Sequence, residues 1–224
     1  MKKDFILKTP SSDVIRISTF ENEDLKVKPC VIFVHGFKGF KDWGFVQYLA
    51  EDFSQCGFFV ITFNFSHNGV GNSLTEFDEL EKFAKNTISR EVEELGLVVN
   101  SYKNAIFTSN VSEKVGILGH SRGGGVSLIL ASQKSEISAV AVWASISKFD
   151  RYTKKQIDSW KKDGFTEVLN SRTNQMMKLG IELLNDIEEN KHDLLSIEKA
   201  VRNLNKPLFI AHGDQDTSVP FVEA

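Results

Sequence analysis

A short apolar run, Val115–Leu118, leads directly into a serine bracketed by glycines, Gly119-His120-Ser121-Arg122-Gly123, after which an apolar segment resumes. This pattern predicts a strand, a sharp turn and a helix in immediate succession. A serine on such a turn adopts strained backbone angles, and the positions two before and two after it have no room for a Cβ atom. Glycine at both positions fits that requirement. The turn would expose the Ser121 hydroxyl and aim the first amides of the helix at the same point.

Two other segments also follow apolar runs. His35-Gly36-Phe37-Lys38-Gly39 comes after Cys30–Val34, and His212-Gly213-Asp214-Gln215-Asp216 comes after Pro207–Ala211. With the serine turn between them, these motifs stand in the chain order of the α/β-hydrolases, which this sequence resembles from about residue 25 to its last residue. The resemblance is strongest to the serine esterase, dienelactone-hydrolase-like and prolyl-oligopeptidase-like branches.

The resemblance implies an α/β fold with a doubly wound, mostly parallel sheet, and the periodicities agree with it. With 41% hydrophobic residues, including 18 Phe, the 224-residue chain can bury one core, and we expect a single domain over residues 1–224. An opening hairpin is predicted for Phe5–Lys8 and Val14–Thr19. The other predicted strands are Cys30–Val34, Phe58–Phe63, Val115–Leu118, Ile137–Ala144 and Pro207–Ala211, and the clearest predicted helices are Trp43–Cys56 and Ile88–Ile106.

Residues 147–206 show many charges and no strand signal. Apolar residues recur there at helical spacing, at Met176, Met177, Leu179, Leu183, Leu184 and Ile187. We therefore predict a small helical lid over 147–206, inserted above the ends of the strands.

Ser121 is the candidate nucleophile, because a serine exposed at a helix N-terminus can attack an acyl carbon once a base removes its proton. A serine that only caps the helix is the alternative. The resemblance implies that the backbone N–H groups of Arg122 and Phe37 form an oxyanion hole. Each such donor typically contributes about 3 kcal/mol to transition-state stabilisation.

The resemblance also implies the acid of a catalytic triad. The family pattern H-G-x-x-D assigns this role to Asp216, which would orient and charge-stabilise a histidine, while Asp214 shapes the turn. Asp150, which follows the preceding strand, occupies the position of the acid in some relatives and is the alternative.

The base is not identified among the five histidines. His35 and His212 belong to their own turns, His120 is adjacent to Ser121, and His192 lies in a charged, solvated stretch. His67 lies in a loop at the correct edge of the sheet but on the wrong side of the topology. We expect the natural protein to be C-terminally longer, with the last strand, the last helix and the histidine beyond residue 224. A histidine supplied by a partner or by domain swapping is the alternative.

Composition argues against several other classes. A net charge of −3 without a sustained basic run predicts no nucleic-acid binding. Residues Met1–Lys8 lack the apolar stretch of a signal peptide, and no segment is long and apolar enough to span a membrane. Cys30 and Cys56 are predicted to be buried thiols in a reducing cytoplasm. No metal-ligand spacing is present, and Gly69-Val70-Gly71 lacks the third glycine of a dinucleotide site, so neither a metal nor a cofactor is expected.

The resulting hypothesis is a serine hydrolase that cleaves a small carboxylic ester through an acyl-enzyme intermediate. A serine peptidase or an acyltransferase of the same fold is the alternative within enzymes. A non-catalytic binding protein that lacks the catalytic histidine is the alternative outside them. The sequence does not indicate the oligomeric state.

Overall fold

Nine strands and seven helices are formed by the residues that the computed structural model describes, 1–22, 26–73 and 76–224. The strands are β1 (Lys2–Lys8), β2 (Val14–Phe20), β3 (Cys30–Val34), β4 (Phe59–Asn64), β5 (Val115–His120), β6 (Ile137–Trp143), β7 (Phe165–Asn170), β8 (Gln175–Gly180) and β9 (Leu208–Ala211). The helices are α1 (Val46–Gln55), α2 (Leu80–Ala84), α3 (Ile88–Lys103), α4 (Arg122–Gln133), α5 (Lys154–Asp163), α6 (Ile181–Asn190) and α7 (Ile197–Arg202), and a 3-10 turn covers Phe221–Glu223.

Seven of these strands form one sheet in the spatial order β1-β2-β4-β3-β5-β6-β9. The predicted opening hairpin is confirmed, because β1 pairs antiparallel with β2. Five neighbouring strands of this sheet, β4, β3, β5, β6 and β9, run parallel to one another. Their register places Val34 beside Gly119 and Trp143 beside Ala211. The carboxyl ends of β3, β5, β6 and β9 are therefore level, and the three motifs leave the sheet at one edge.

Alternation along the strands separates the two faces of the sheet. Phe33 and Leu118 pack with α1 on one face, and Ile32, Val34 and Ile117 belong to the larger core on the other. Helices α3 and α4 cover that second face, with α4 against β5 and β6 and α3 against α4. The confirmed fold is thus α/β with a mostly parallel sheet.

The prediction of a small helical lid over residues 147–206 is wrong in part, because this segment contains two strands as well as helices. Strands β7 and β8 pair antiparallel as a separate hairpin between α5 and α6. Met177 and Leu179 lie two residues apart with their side chains buried in β8, whereas Leu183 and Ile187 are indeed buried on a helix. The error arose because a short apolar run does not distinguish a strand from a helix, and here one apparent helical pattern spans the junction of two elements.

The face of the sheet on which α1 packs carries an apolar groove of about 770 Å³. Its lining includes Val31, Phe53, Ala139 and Phe209, and Phe209 is 62% exposed. Cys30 is buried as predicted, but Cys56 is exposed, since it follows the last residue of α1 instead of lying on its inner face. None of the helices in the described part of the chain is long and apolar enough to cross a membrane.

Candidate active site

Ser121 occupies the strained turn that the sequence predicts. It lies between the end of β5 and the start of α4, with φ 54° and ψ −122°, a region that L residues rarely adopt. A Cβ on Gly119 would lie 2.5 Å from Ser127 Oγ, and one on Gly123 would lie 2.4 Å from the carbonyl oxygens of Val34 and His35. Both distances are too short for any real contact, so the steric reason given for the two glycines is confirmed.

The loop after β3 packs directly on this turn. A Cβ on Gly36 would lie 2.9 Å from Ser121 Cβ, which shows how closely the backbone of Gly36 approaches the serine. The contact of Gly123 with the end of β3 joins the same two elements from the other side. The relative position of the two loops is therefore fixed by main chain against main chain.

Two amides beside the serine are unengaged. Within the described residues, neither the N–H of Phe37 nor that of Arg122 donates a hydrogen bond. Arg122 is the first residue of α4, where an amide has no partner inside the helix. Phe37, Ser121 and Arg122 line a common cleft, so both amides are available to a negatively charged oxygen close to Ser121.

The Arg122 side chain turns away from this role and forms a buried ion pair. Its Nη2 donates to Glu91 Oε1 on α3 at 2.5 Å, and the Asn86 amide donates to the same oxygen at 2.7 Å. The guanidinium also lies 4.7 Å from the centre of the Phe37 ring. Burial raises the pKa of the Glu91 carboxyl, and the neighbouring Arg122 guanidinium opposes that rise. This pair fastens the start of α4 to α3.

Glu91 was not recognised from the sequence. It stands three residues after Ile88 on the inward-facing stripe of α3, where an apolar residue is expected, and its exposure is only 2%. An acidic residue on an apolar stripe is the signal that could have revealed it, because a buried charge needs a partner.

Replacing Glu91 with Gln is expected to lower the free energy of unfolding by about 3 kcal/mol, because it leaves the Arg122 guanidinium without its counter-charge. Urea unfolding of the variant measures this change. Glu93→Gln is the matched control, since Glu93 is an exposed glutamate on the same helix. If the two substitutions lowered the free energy of unfolding equally, the buried ion pair would contribute no more to stability than an exposed glutamate does.

Asp216 is held in one orientation by the loop after β9. Its Oδ1 accepts hydrogen bonds from the amides of Ser218 and Val219 at 2.8 and 2.9 Å. These two donors, led by the Val219 amide, lower the pKa of Asp216 below its usual value, so its carboxylate is charged. Asp214 is exposed and makes no hydrogen bond to the described residues, so the turn-shaping role predicted for it belongs to Asp216 instead.

The alternative acid, Asp150, is paired with a lysine at the surface. Its Oδ2 is 3.7 Å from Lys191 Nζ, and the side chain is 39% exposed. This is an ordinary surface ion pair of the segment between β6 and α7.

Three histidines already have hydrogen-bond partners, either a main-chain carbonyl or a neighbouring side chain. His35 is buried and its Nδ1 donates to the Gly36 carbonyl at 2.9 Å, and burial lowers its pKa to about 4. His212 Nε2 donates to the Val219 carbonyl at 2.7 Å, and lies 4.0 Å from Asp216 Oδ2. His67 Nδ1 lies 2.7 Å from Ser66 Oγ.

The other two histidines are also not placed to act on the serine. His120 packs edge-on against Phe45, at 5.7 Å between ring centres, and burial lowers its pKa although Asp216 opposes this. His192 is exposed, as predicted. Among the described residues, no histidine is hydrogen-bonded to Ser121 Oγ.

Ser121 opens onto two clefts. One has a volume of about 540 Å³ and apolar walls from Ile88, Phe149, Leu183 and Ile187, so helix α6 covers part of it. The other, of about 230 Å³, lies toward the tip of the β7–β8 hairpin and is lined there by Ser171 and Arg172. Phe37, His120 and Ser121 line both. A small molecule bound at Ser121 could therefore place its two parts in different surroundings.

The hairpin tip is tied to the loop after β3. Lys38 Nζ donates to the Leu169 carbonyl at 3.0 Å, and the Arg172 guanidinium donates to the Lys38 carbonyl and lies 4.2 Å from the Trp43 ring centre. Lys38 itself has a left-handed backbone, with φ 56°. The β7–β8 hairpin thus contacts the same loop that carries the Phe37 amide.

Comparison with known proteins agrees with this geometry. The family described as the alpha/beta hydrolase fold matches residues 29–195, more than half of the sequence, and the chain belongs to that family. No curated protein matches it in sequence. No group of three or more His, Cys, Asp or Glu side chains that could hold a metal ion is found within the described residues.

Solved structures share the fold at low identity. GrgF, an alpha/beta hydrolase from Penicillium sp. sh18, is 15% identical with a TM-score of 0.75. The match covers 100% of this chain and 83% of the GrgF chain. Est1E from Butyrivibrio proteoclasticus, in a structure with ferulic acid bound, is 19% identical with a TM-score of 0.73. The match covers 97% of this chain and 82% of the Est1E chain. The acylaminoacyl peptidase of Pyrococcus horikoshii is 16% identical with a TM-score of 0.69, but this chain covers 33% of it.

Proposed function

We propose that this protein is a serine hydrolase that cleaves a small carboxylic ester through an acyl-enzyme intermediate on Ser121. The strained Ser121 beside two unengaged amides carries the proposal, because the strain and the free donors have no structural purpose in a simple helix cap. A cap would instead accept a hydrogen bond from α4, and Ser121 makes no such bond.

In the proposed reaction, Ser121 Oγ attacks the ester carbonyl while a base takes its proton. The amides of Phe37 and Arg122 donate to the oxyanion that forms, and their fixed backbone positions mean that little reorganisation is needed. Collapse of the tetrahedral intermediate expels the alcohol, and water then releases the acid by the same steps.

The proposed base is a histidine oriented by Asp216, as the family resemblance implies. Asp216 suits this role because its Oδ1 is held by two amides and its lowered pKa keeps it charged. The charge would stabilise the imidazolium formed during attack.

An ester is preferred over a peptide as substrate. Ester cleavage is supported by the small volumes of the clefts and by the likeness to Est1E, whose structure contains ferulic acid. The peptidase neighbour supports the alternative less, because two thirds of that protein has no counterpart in this chain.

Ser121→Ala is expected to abolish covalent labelling by a fluorophosphonate probe and to lower ester hydrolysis by at least about 10³-fold, since the nucleophile is lost. Intact mass spectrometry of the natural protein, with and without the substitution, measures the labelling. Ser127→Ala is the matched control, because Ser127 lies on α4 but its hydroxyl is buried and donates to the Gly123 carbonyl. Failure of the wild type to label would favour the binding-protein alternative.

A further inference from the structure

Four cationic side chains line the two clefts beside Ser121. Lys38, Arg122 and Arg151 line the cleft of about 540 Å³. Arg172 lines the cleft of about 230 Å³. No Asp or Glu is among the described residues that line either cleft. This excess of positive charge is local, because the whole chain has a net charge of −3.

Two of the four cations are neutralised from behind. Arg122 is paired with Glu91 at 2.5 Å, and Arg151 Nη2 lies 2.8 Å from Glu223 Oε1. Their charges are therefore balanced before any ligand enters the site.

Lys38 and Arg172 differ from the first pair. Within the described residues, neither has a carboxylate at ion-pair distance, and both donate only to main-chain carbonyls, of Leu169 and Lys38 respectively. The two cations are thus held near each other without a counter-charge. Burial lowers the pKa of Lys38, and the neighbouring Arg172 guanidinium lowers it further.

The Arg172 guanidinium is also held in place before a ligand binds. One face stacks on Trp43 at 4.2 Å, one N–H group reaches the Lys38 carbonyl, and its other N–H groups have no partner among the described residues. A planar guanidinium fixed in this way matches a carboxylate in geometry and charge, and fixing it beforehand reduces the entropy lost on binding.

We propose that Arg172, with Lys38 as a neighbouring positive charge, forms a subsite for a carboxylate carried by the substrate, so that the preferred substrates are esters that bear a second, ionised carboxyl group. The inference rests on the proposed function for its ester, but the subsite itself is defined by the Arg172 side chain and its surroundings. Arg172 lines the 230 Å³ cleft together with Ser121, so one small molecule can reach both.

Binding tests the subsite without catalysis. Trp43 stacks on Arg172, so a carboxylate at this position should change the tryptophan fluorescence of the chain. In the Ser121→Ala background, monomethyl glutarate is expected to give a saturable change that Trp43→Phe removes, with dimethyl glutarate as the uncharged control. Arg172→Gln is expected to raise the Kd for monomethyl glutarate at least tenfold.

Arg202→Gln is the matched control, because Arg202 is an exposed arginine on α7 that is paired with Glu198. Circular dichroism of Arg172→Gln checks that it folds, and Lys38→Gln supplies a second variant with a smaller expected loss in the same direction. Equal binding of the charged and uncharged esters, or equal effects of Arg172→Gln and Arg202→Gln, overturns the proposal.

Kinetics separate the subsite from a purely structural role. In the natural protein, we expect Arg172→Gln to lower at least tenfold the ratio of kcat/KM for mono-4-nitrophenyl glutarate to that for 4-nitrophenyl acetate, and added salt to lower the same ratio. An equal loss on both esters would mean that Arg172 only positions the loop of Phe37, and would overturn the proposal. Absence of turnover with either ester contradicts the proposed function, whereas the fluorescence titration still decides the subsite.

Discussion

Replacing Gly123 with Ala is expected to lower the free energy of unfolding by about 3 kcal/mol or more and to remove probe labelling of Ser121. The new Cβ would lie 2.4 Å from two carbonyl oxygens, those of Val34 and His35, and main chain cannot rotate away as a side chain can. Urea unfolding and intact mass measure the two effects.

Gly96→Ala is the matched control for this substitution. Gly96 lies inside α3, its added Cβ would meet nothing closer than 3.5 Å, and alanine is the better helix former by up to about 1 kcal/mol. We expect this variant to be as stable as the wild type or more so. If Gly123→Ala behaved like Gly96→Ala, the close packing of the serine turn on β3 would be refuted.

The Asp216→Asn variant of the natural protein is expected to lose about 10⁴-fold in kcat for ester hydrolysis, because an uncharged amide neither orients the proposed histidine correctly nor stabilises its charged form. The Asn oxygen can still accept from the amides of Ser218 and Val219, so the loop should keep its shape. Steady-state kinetics and a melting curve distinguish lost chemistry from lost structure.

Asp214→Asn serves as the control for that variant, since Asp214 lies in the same loop but is exposed and makes no hydrogen bond to the described residues. We expect its kcat to stay within about twofold of the wild type. A large loss in Asp214→Asn with little loss in Asp216→Asn would reverse the assignment of the acid.

Much of the fold follows from local sequence signals. The parallel strands β3 and β5 are mainly apolar runs, and the serine turn between β5 and α4 is marked by Gly119, where a Cβ would clash with Gly123, Gly124 and Ser127 of the same turn and helix. Such signals involve neighbours in sequence. They therefore survive without knowledge of what packs against them.

The parts that sequence reasoning missed depend on distant partners. The burial of Glu91 is explained only by Arg122, which lies beside it in the folded chain. The β7–β8 hairpin is likewise recognisable only when its apolar face packs against the core. The charge imbalance at Lys38 and Arg172 is likewise a property of the assembled clefts. Sequence patterns do not report contacts of this kind, because the residues involved are far apart along the chain.

The close approach of Gly123 to the end of β3 also bears on the order of events during folding. It joins segments that are distant in sequence, so we expect Ser121 to take its strained conformation only after β3 and β5 have paired, an event delayed by the entropy of closing a long loop. With Ser121 as the proposed nucleophile, a chain still being synthesised or refolded would carry an ordinary, unreactive serine. Labelling of Ser121 would then report the completed fold.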